Sequence, residues 1–392
     1  MLNLSLPDAT MKSWLIQTRR LFHQHPELGY QEIWTSRQLR EQMAEIGWEI
    51  SDPIATTGFV ATLRGRNRQN ALAWRTDIDA LPIQEETALP YASLNQGCMH
   101  ACGHDAHMAV ALGIAKILFE QKDNLQRDIH IIFQPNEEGA PGIQLSGADQ
   151  MCSENLLQRY QIAQMLALHC DPSLPAGTLA TKSGAIWAAN TRLVAHVTGL
   201  SAHAAYPERG RDALWAACEM ISAIYAAKSR IKANNQVISV CKMQAGESFN
   251  VLCDKASFEG TLRGESQAQL KTLSDLIQSC IQGVAQYSGV NAIAEFYPGA
   301  EAVHNDPELT RTVQQIIQSQ GYATLVNAEM SMASEDFSYF SRQIPCCYLM
   351  MGIRPKEMLE MPPLHSPHFF LDESCLHVAA STMANVLLHL AA

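Results

Sequence analysis

The sequence predicts an α/β protein: a larger domain on a central, mostly parallel sheet, interrupted by a smaller inserted α+β domain. Three observations carry this. Apolar runs such as "IHIIF" and "MLALH" alternate with helical segments through the first half, the pattern of strands buried on both faces. From about Ala188 the order becomes β-α-β-β-α-β, the ferredoxin-like split arrangement of a complete small domain. Segments of the earlier style then resume. The domains are expected at residues 1–186 with 297–392, and at 187–296, an insertion that is easy where chain ends lie close.

The elements follow in order. "LIQTRRLFHQHPELG" and "EIWTSRQLREQMAEIG" have helical spacing, the second stopped by Gly47. Strands are expected at "FVATLRG", "NALAWRTDID", "DIHIIFQP" and "QMLALH". Between the second and third, "AHMAVALGIAKILFEQ" is apolar nearly all round and reads as a buried helix. In the insertion, "NTRLVAHVTG" is a strand, "RDALWAACEMISAIYAA" a helix, and "QVISVCKMQAG" and "ASFEGTLRG" are strands. A helix capped by Ser266 and the strand "NAIAEFYPG" complete it. The helix "PELTRTVQQIIQSQG", the strand "PCCYLMMGI" and a final helix from "DESCLHV" onward close the chain.

Composition excludes several functions. A net charge of -11, with no Lys/Arg cluster longer than a pair, argues against nucleic-acid or anionic-membrane partners. There is no basic segment leading into an apolar leader, and no uncharged apolar stretch is expected to span a bilayer. The eleven cysteines are scattered and odd in number, as expected of reduced thiols in a cytoplasmic protein. No G-x-G-x-x-G follows a strand, so no nucleotide cofactor is expected.

The chemistry concentrates where strands end. "HACGHDAH" places Cys102 and His104 around a glycine, ahead of the buried helix. The pair can ligate a metal, act as nucleophile and base, or sit in an incidental turn. "FQPNEEGA" ends a strand in Glu137 and Glu138, which can divide metal binding and proton transfer between them or form a solvated acidic pair. "MLALHCDP" ends in His169, and "PPLHSPHF" holds His365 between prolines. Either histidine alone reads as an ordinary polar residue. Cys, His, Glu and His at four such positions point jointly to a metal centre. Asp77, Asp79 and Asp105 are then candidates to orient the imidazoles, although Asp77 and Asp79 could equally close a turn.

Beyond these residues, "HPELGYQE", "RTDIDALPIQE", "MHACGHDAHMAVALGIA", "FQPNEEGA", "LALH", "GLSAHAAYPERGRDAL", "GESFNVLCDKASFEGTLR", "SEDFSYF" and "LHSPHF" occur in one order across nearly the whole chain. In this the chain resembles the amidohydrolase branch of the M20 metallopeptidase superfamily, with its hippurate hydrolases and indole-acetyl-amino-acid hydrolases. The resemblance implies two divalent ions, manganese or zinc with cobalt or nickel as alternatives. Their ligands would be Cys102, His104, Glu138, His169 and His365, with Cys102 bridging and Glu137 as general base. It further implies that the inserted domain is a lid through which the chain forms a homodimer. His203 would reach a substrate carbonyl, and Asn250 and Arg263 would recognise the substrate carboxylate.

The implied reaction is hydrolysis of an N-acyl amino acid to a carboxylic acid and a free amino acid. Its alternatives are a dipeptide or an N-acetylated diaminopimelate on the same site, a Cys102 nucleophile with His104 as base, and a binding protein that kept the fold. Two departures stand out. "PGIQLSGADQMCSEN" follows "EEGA" where the family is richer in Arg and Met. Leu252 and Cys253 replace a common Ile-Pro, which predicts a softer loop because cysteine does not fix φ.

Overall fold

Asp8 accepts the Met11 amide at 2.9 Å and caps the first helix, α1 (Ala9–Gln24). Gly47 ends the second, α2 (Ile33–Ile46), as its sequence position predicts, and does so in the left-handed conformation at φ 108°. The computed structural model describes residues 8–139, 145–231 and 235–392. The chain divides into two units, Met1–Ile186 with His304–Glu329 and Asp336–Ala392, and Trp187–Val303 with Met330–Glu335.

Before the second unit the chain forms β1 (Glu49–Ile50), β2 (Phe59–Leu63), β3 (Asn67–Asp77), α3 (His104–Phe119) and β4 (Arg127–Gln134). It continues through α4 (Gly147–Ser153), α5 (Leu156–Arg159), β5 (Ile162–Pro175), β6 (Thr178–Thr181) and β7 (Gly184–Trp187). The second unit supplies β8 (Ala189–Thr198), α6 (Ala213–Lys228), β9 (Val237–Ala245), β10 (Lys255–Gly264), α7 (Gln267–Ser288) and β11 (Asn291–Pro298). The chain ends with β12 (Val303–Asn305), α8 (Pro307–Gln320), β13 (Thr324–Asn327), α9 (Ser338–Ser341), β14 (Cys346–Arg354) and α10 (Ser374–Ala391).

The first unit is built on a sheet of order β1-β2-β4-β3-β5-β14-β6-β13. Its four central strands, β4, β3, β5 and β14, are mutually parallel. They are buried along most of their length, which is why they read as continuous apolar runs. Helix α3 packs on β3 and β5, with α1 and α10 against it. Its residues His104–Ala115 are all buried, so nearly every face is apolar. Helix α10 corrects one expectation: it is apolar and long enough to cross a membrane by length and composition. Most of it is instead spent on core contacts with α3, α1, α8 and β14.

The second unit is an antiparallel sheet of order β11-β8-β10-β9, with α6 and α7 packed together against it. Ser266 accepts the Gln269 amide and caps α7. Its extent differs from the expected 187–296: it runs to Val303 and takes in Met330–Glu335. Hydrogen bonds from Ala188 N–H to Ala333 O at 3.1 Å and from Asn190 Nδ2 to Ser334 Oγ at 2.8 Å tie that late segment to the unit.

Candidate metal centre

The parallel strands deliver the candidate residues at their carboxyl ends, where ligand crevices form in open α/β sheets. Strand β3 ends on Asp77, β4 leads into Glu137 and Glu138, and His169 sits on β5 beyond its last β3 pairing, Arg75 with Ala167. Gly103 turns the chain into α3 at φ 86°, and a Cβ there would fall 2.6 Å from Cys170 Sγ. Only glycine lets Cys102 and His104 flank that point. His365 itself adopts φ 65°, held by its amide on Ala101 O at 2.9 Å. A non-glycine in this region marks strain that the surrounding fold sustains.

The loop carrying the two glutamates is seated by the "HPELGYQE" segment. Asn136 takes φ 48°, donates its amide to Glu32 Oε1 at 3.0 Å, and leaves Gly29 no room for a side chain. Residues 141–144, the start of the divergent stretch, lie outside the described residues, as does Ala140 before them.

The side chains converge. Cys102 Sγ lies 3.3 Å from His169 Nε2, and Glu138 Oε1 lies 3.2 Å from His365 Nε2. His169 donates Nδ1–H to Cys170 O at 2.8 Å, which puts the lone pair of the neutral ring on Nε2, the nitrogen facing Cys102 Sγ. His104 donates Nδ1–H to Asp79 O at 2.9 Å. Its Nε2 is buried without a hydrogen-bond partner among the described residues, 3.7 Å from Asp77 Oδ2 and 4.0 Å from Glu138 Oε1. Ligand atoms lie within 4.8 Å of one another in the triplets Cys102–His104–His169, Cys102–Glu138–His365 and His104–Glu137–Glu138. Cys102 is shared by the first two triplets.

Electrostatics favours a cation here. Burial, then Glu138 and Glu137, push the Cys102 thiol well above its ordinary value, so this environment opposes a free thiolate nucleophile. Burial disfavours a charged His104, yet Asp77, Asp79 and Glu138 outweigh it and push the imidazole up to about 10. The cluster therefore holds more negative charge than it neutralises, around an imidazole nitrogen with no hydrogen-bond partner among the described residues. Sulfur, imidazole and carboxylate donors together fit a transition-metal pair.

The orienting carboxylates divide differently from expectation. Asp79 serves the centre: its carbonyl takes His104, and its Oδ2 accepts the Glu138 amide at 3.0 Å. Asp77 binds His107 Nδ1 at 2.6 Å and Arg75 at 2.7 Å. Asp105, expected to orient an imidazole ligand, instead pairs with Arg19 at 2.6 Å and His23 at 2.8 Å on α1. Sequence reasoning missed Arg75 and Asp336, whose buried contact at 3.0 Å joins distant segments. It also missed His107, three residues after His104 on one helix face, a spacing that could have revealed it.

In the second unit, Ala204 N–H donates to Asn250 O at 2.9 Å and His203 bridges Val251, so His203 and Asn250 share one loop pair. His203 Nδ1 accepts the Ala205 amide at 3.1 Å, which places the ring proton on Nε2 as an outward donor. Arg263 lies at the opposite end of β10 and donates to Met332 O and Ser334 Oγ, both at 3.0 Å. The expected softening at Cys253 is offset: its sulfur accepts the Gly246 amide at 3.1 Å and donates to Lys255 O at 2.9 Å.

Comparison with known proteins gives a match to the model of peptidase family M20/M25/M40 over residues 73–389. The chain is 35% identical to N-acetylcysteine deacetylase of Bacillus subtilis over 384 residues, covering 97% of this chain and 98% of that one. It is 33% identical to N-acetyldiaminopimelate deacetylase of a Geobacillus species over 341 residues, covering 86% and 89%. Among solved structures it is similar to a dinuclear metal-binding M20 peptidase of Bacillus subtilis, with TM-score 0.86, 32% identity, and 98% and 99% of the two chains covered.

Proposed function

Because the chain belongs to peptidase family M20/M25/M40, and is thereby a metallo-amidohydrolase, we propose that it cleaves N-acyl amino acids to a carboxylic acid and a free amino acid. The observation that carries this reading is the pair of ligand triplets sharing Cys102, with Glu137 beside them.

Cys102, His104, Glu138, His169 and His365 would hold two ions, manganese or zinc by donor chemistry, with cobalt and nickel also suited. When bound, such a pair supplies Lewis acidity that lowers the pKa of water and polarises an amide carbonyl. Glu137, only partly buried, takes the proton of the attacking water and passes it to the departing amine nitrogen. His203 Nε2–H donates to the carbonyl oxygen as charge develops there. Asn250 and the Arg263 guanidinium recognise the carboxylate next to the scissile bond.

One copy has difficulty supplying all of these to one small molecule. Lys255 to Arg263 alone spans eight strand steps, roughly 26 Å, and the loop pair of His203 and Asn250 continues beyond Lys255. A homodimer in which the partner lends His203 and Asn250 removes the difficulty. Exposed Phe249, Val251, Tyr206 and Trp215 on the second unit suit such an association.

The test is to strip the protein with a chelator and restore manganese, zinc, cobalt or nickel singly. Amino acid release is then assayed from N-acetyl, N-benzoyl and N-succinyl amino acids, N-acetyldiaminopimelate and dipeptides. Metal-dependent release from N-acyl amino acids is expected; turnover that survives chelation and dies on alkylation would move the chemistry to Cys102. Similarity to N-acetyldiaminopimelate deacetylase favours that N-acyl compound as a second reading, and the same panel separates it.

A further inference from the structure

Asp77, His104 and His107 form one more triplet whose ligand atoms lie within 4.8 Å of one another. Both nitrogens of His107 are nevertheless engaged. Cys170 donates its amide to His107 Nε2 at 2.9 Å, so that nitrogen carries the lone pair and the proton resides on Nδ1. Nδ1–H is then donated to Asp77 Oδ1 at 2.6 Å, while Arg75 grips Asp77 Oδ2 at 2.7 Å. All four residues are buried. No lone pair of His107 remains for an ion.

The Cys170 amide belongs to the peptide that follows His169. It lies beyond the last β3 pairing partner on β5, where a buried N–H requires another acceptor. His107 provides it. The next carbonyl, Cys170 O, accepts His169 Nδ1–H at 2.8 Å and fixes that ring. The His107 and His169 rings meet edge to face, with centroids 4.9 Å apart.

We infer that His107 is a positioning residue of the metal centre: a strut from Asp77 to the Cys170 amide that sets His169, and not a ligand itself. The inference rests on the metal-centre reading above. It assigns Asp77 and His107 to scaffolding and leaves metal binding to the two triplets that share Cys102, one of which contains His104.

Three variants test it. His107→Gln keeps an acceptor within reach of the Cys170 amide, His107→Asn keeps only a donor toward Asp77, and His107→Ala keeps neither. Metal content at saturation, cobalt affinity by competition with a chromophoric chelator, and the visible spectrum of the cobalt protein are compared with wild type. The expected result is two ions in every variant, with affinity lowered about 10–100-fold in the Asn and Ala variants, their cobalt bands shifted, and Gln nearest to wild type. Loss of one ion would make His107 a ligand and overturn the inference. Unchanged affinity and spectrum with only a lower melting temperature would reduce it to core packing, and a Gln variant no better than Ala would remove the strut. Wild-type protein that takes up no metal would sink the metal-centre reading first, and is told apart because the unmutated chain fails.

Discussion

Gly103 stands between two candidate ligands, in a conformation that side chains avoid and against a sulfur that leaves no space. Gly103→Ala is expected to cost about 1–3 kcal/mol in urea unfolding and to weaken metal uptake. Adding Cys170→Ala should restore part of the stability, because it relieves the contact but not the torsion. Glu32 makes a second case. Burial, and then Asp79, push its carboxyl from 4.5 up to about 7. Below about pH 4.5 the folded and unfolded chains both hold the proton. Between there and about 7 the unfolded chain releases it first, so stability falls as pH rises and the loss is complete above 7. In metal-free protein, Glu32→Gln should therefore be more stable than wild type at pH 8, by roughly 3 kcal/mol at most, and the advantage should vanish toward pH 4.5. A difference that does not change with pH would show that Glu32 does not hold its proton.

At the scale of elements, α3 is the crowded one. A side chain at Gly113 would meet Ala380 and Leu15, each at 2.9 Å, where α10 and α1 close on it. Gly113→Leu should destabilise by about 1–3 kcal/mol by thermal denaturation, through overpacking rather than loss of helix. Long elements such as this were legible in the sequence because a buried helix and a buried strand each leave an extended apolar signature. Short ones were not: β1, β6 and β13 have four residues or fewer, too few to display a period, and belong to the sheet only through neighbours. The site followed the same division. Donors at strand ends and at the start of the buried helix stand out against apolar runs, so Cys102, Glu138 and His169 were visible. The supports were visible only in part: Asp79 was named and serves the centre, but Arg75, Asp336 and the partners of Asp105 were not, because a buried charge is explained by a partner that spacing does not reveal. Arg75 waits for Asp336, 261 residues on, and Asp105 answers to His23, 82 residues back.

For the whole molecule, the five candidate ligands all lie in the first unit. Calorimetry with and without chelator should show metal raising the transition of that unit and leaving that of Trp187–Val303 in place. The dimer makes a separate prediction. Inactive His203→Ala and Glu137→Gln proteins, mixed and allowed to exchange subunits, should recover up to roughly a quarter of wild-type activity, and none if each copy works alone. Strand β14 has a further consequence. It sits in the interior of the eight-stranded sheet, between β5 and β6, yet is encoded after the entire second unit. A ribosome releases four of the five ligands early, while the slot for β14 and the segment bearing His365 are still unmade. The inserted unit has all but its 330–335 segment and can complete its own sheet in that interval, whereas the surrounding one must wait with an open seam. Newborn chains are thus most exposed to mispairing, and least able to retain metal, until β14 and the segment bearing His365 have been made.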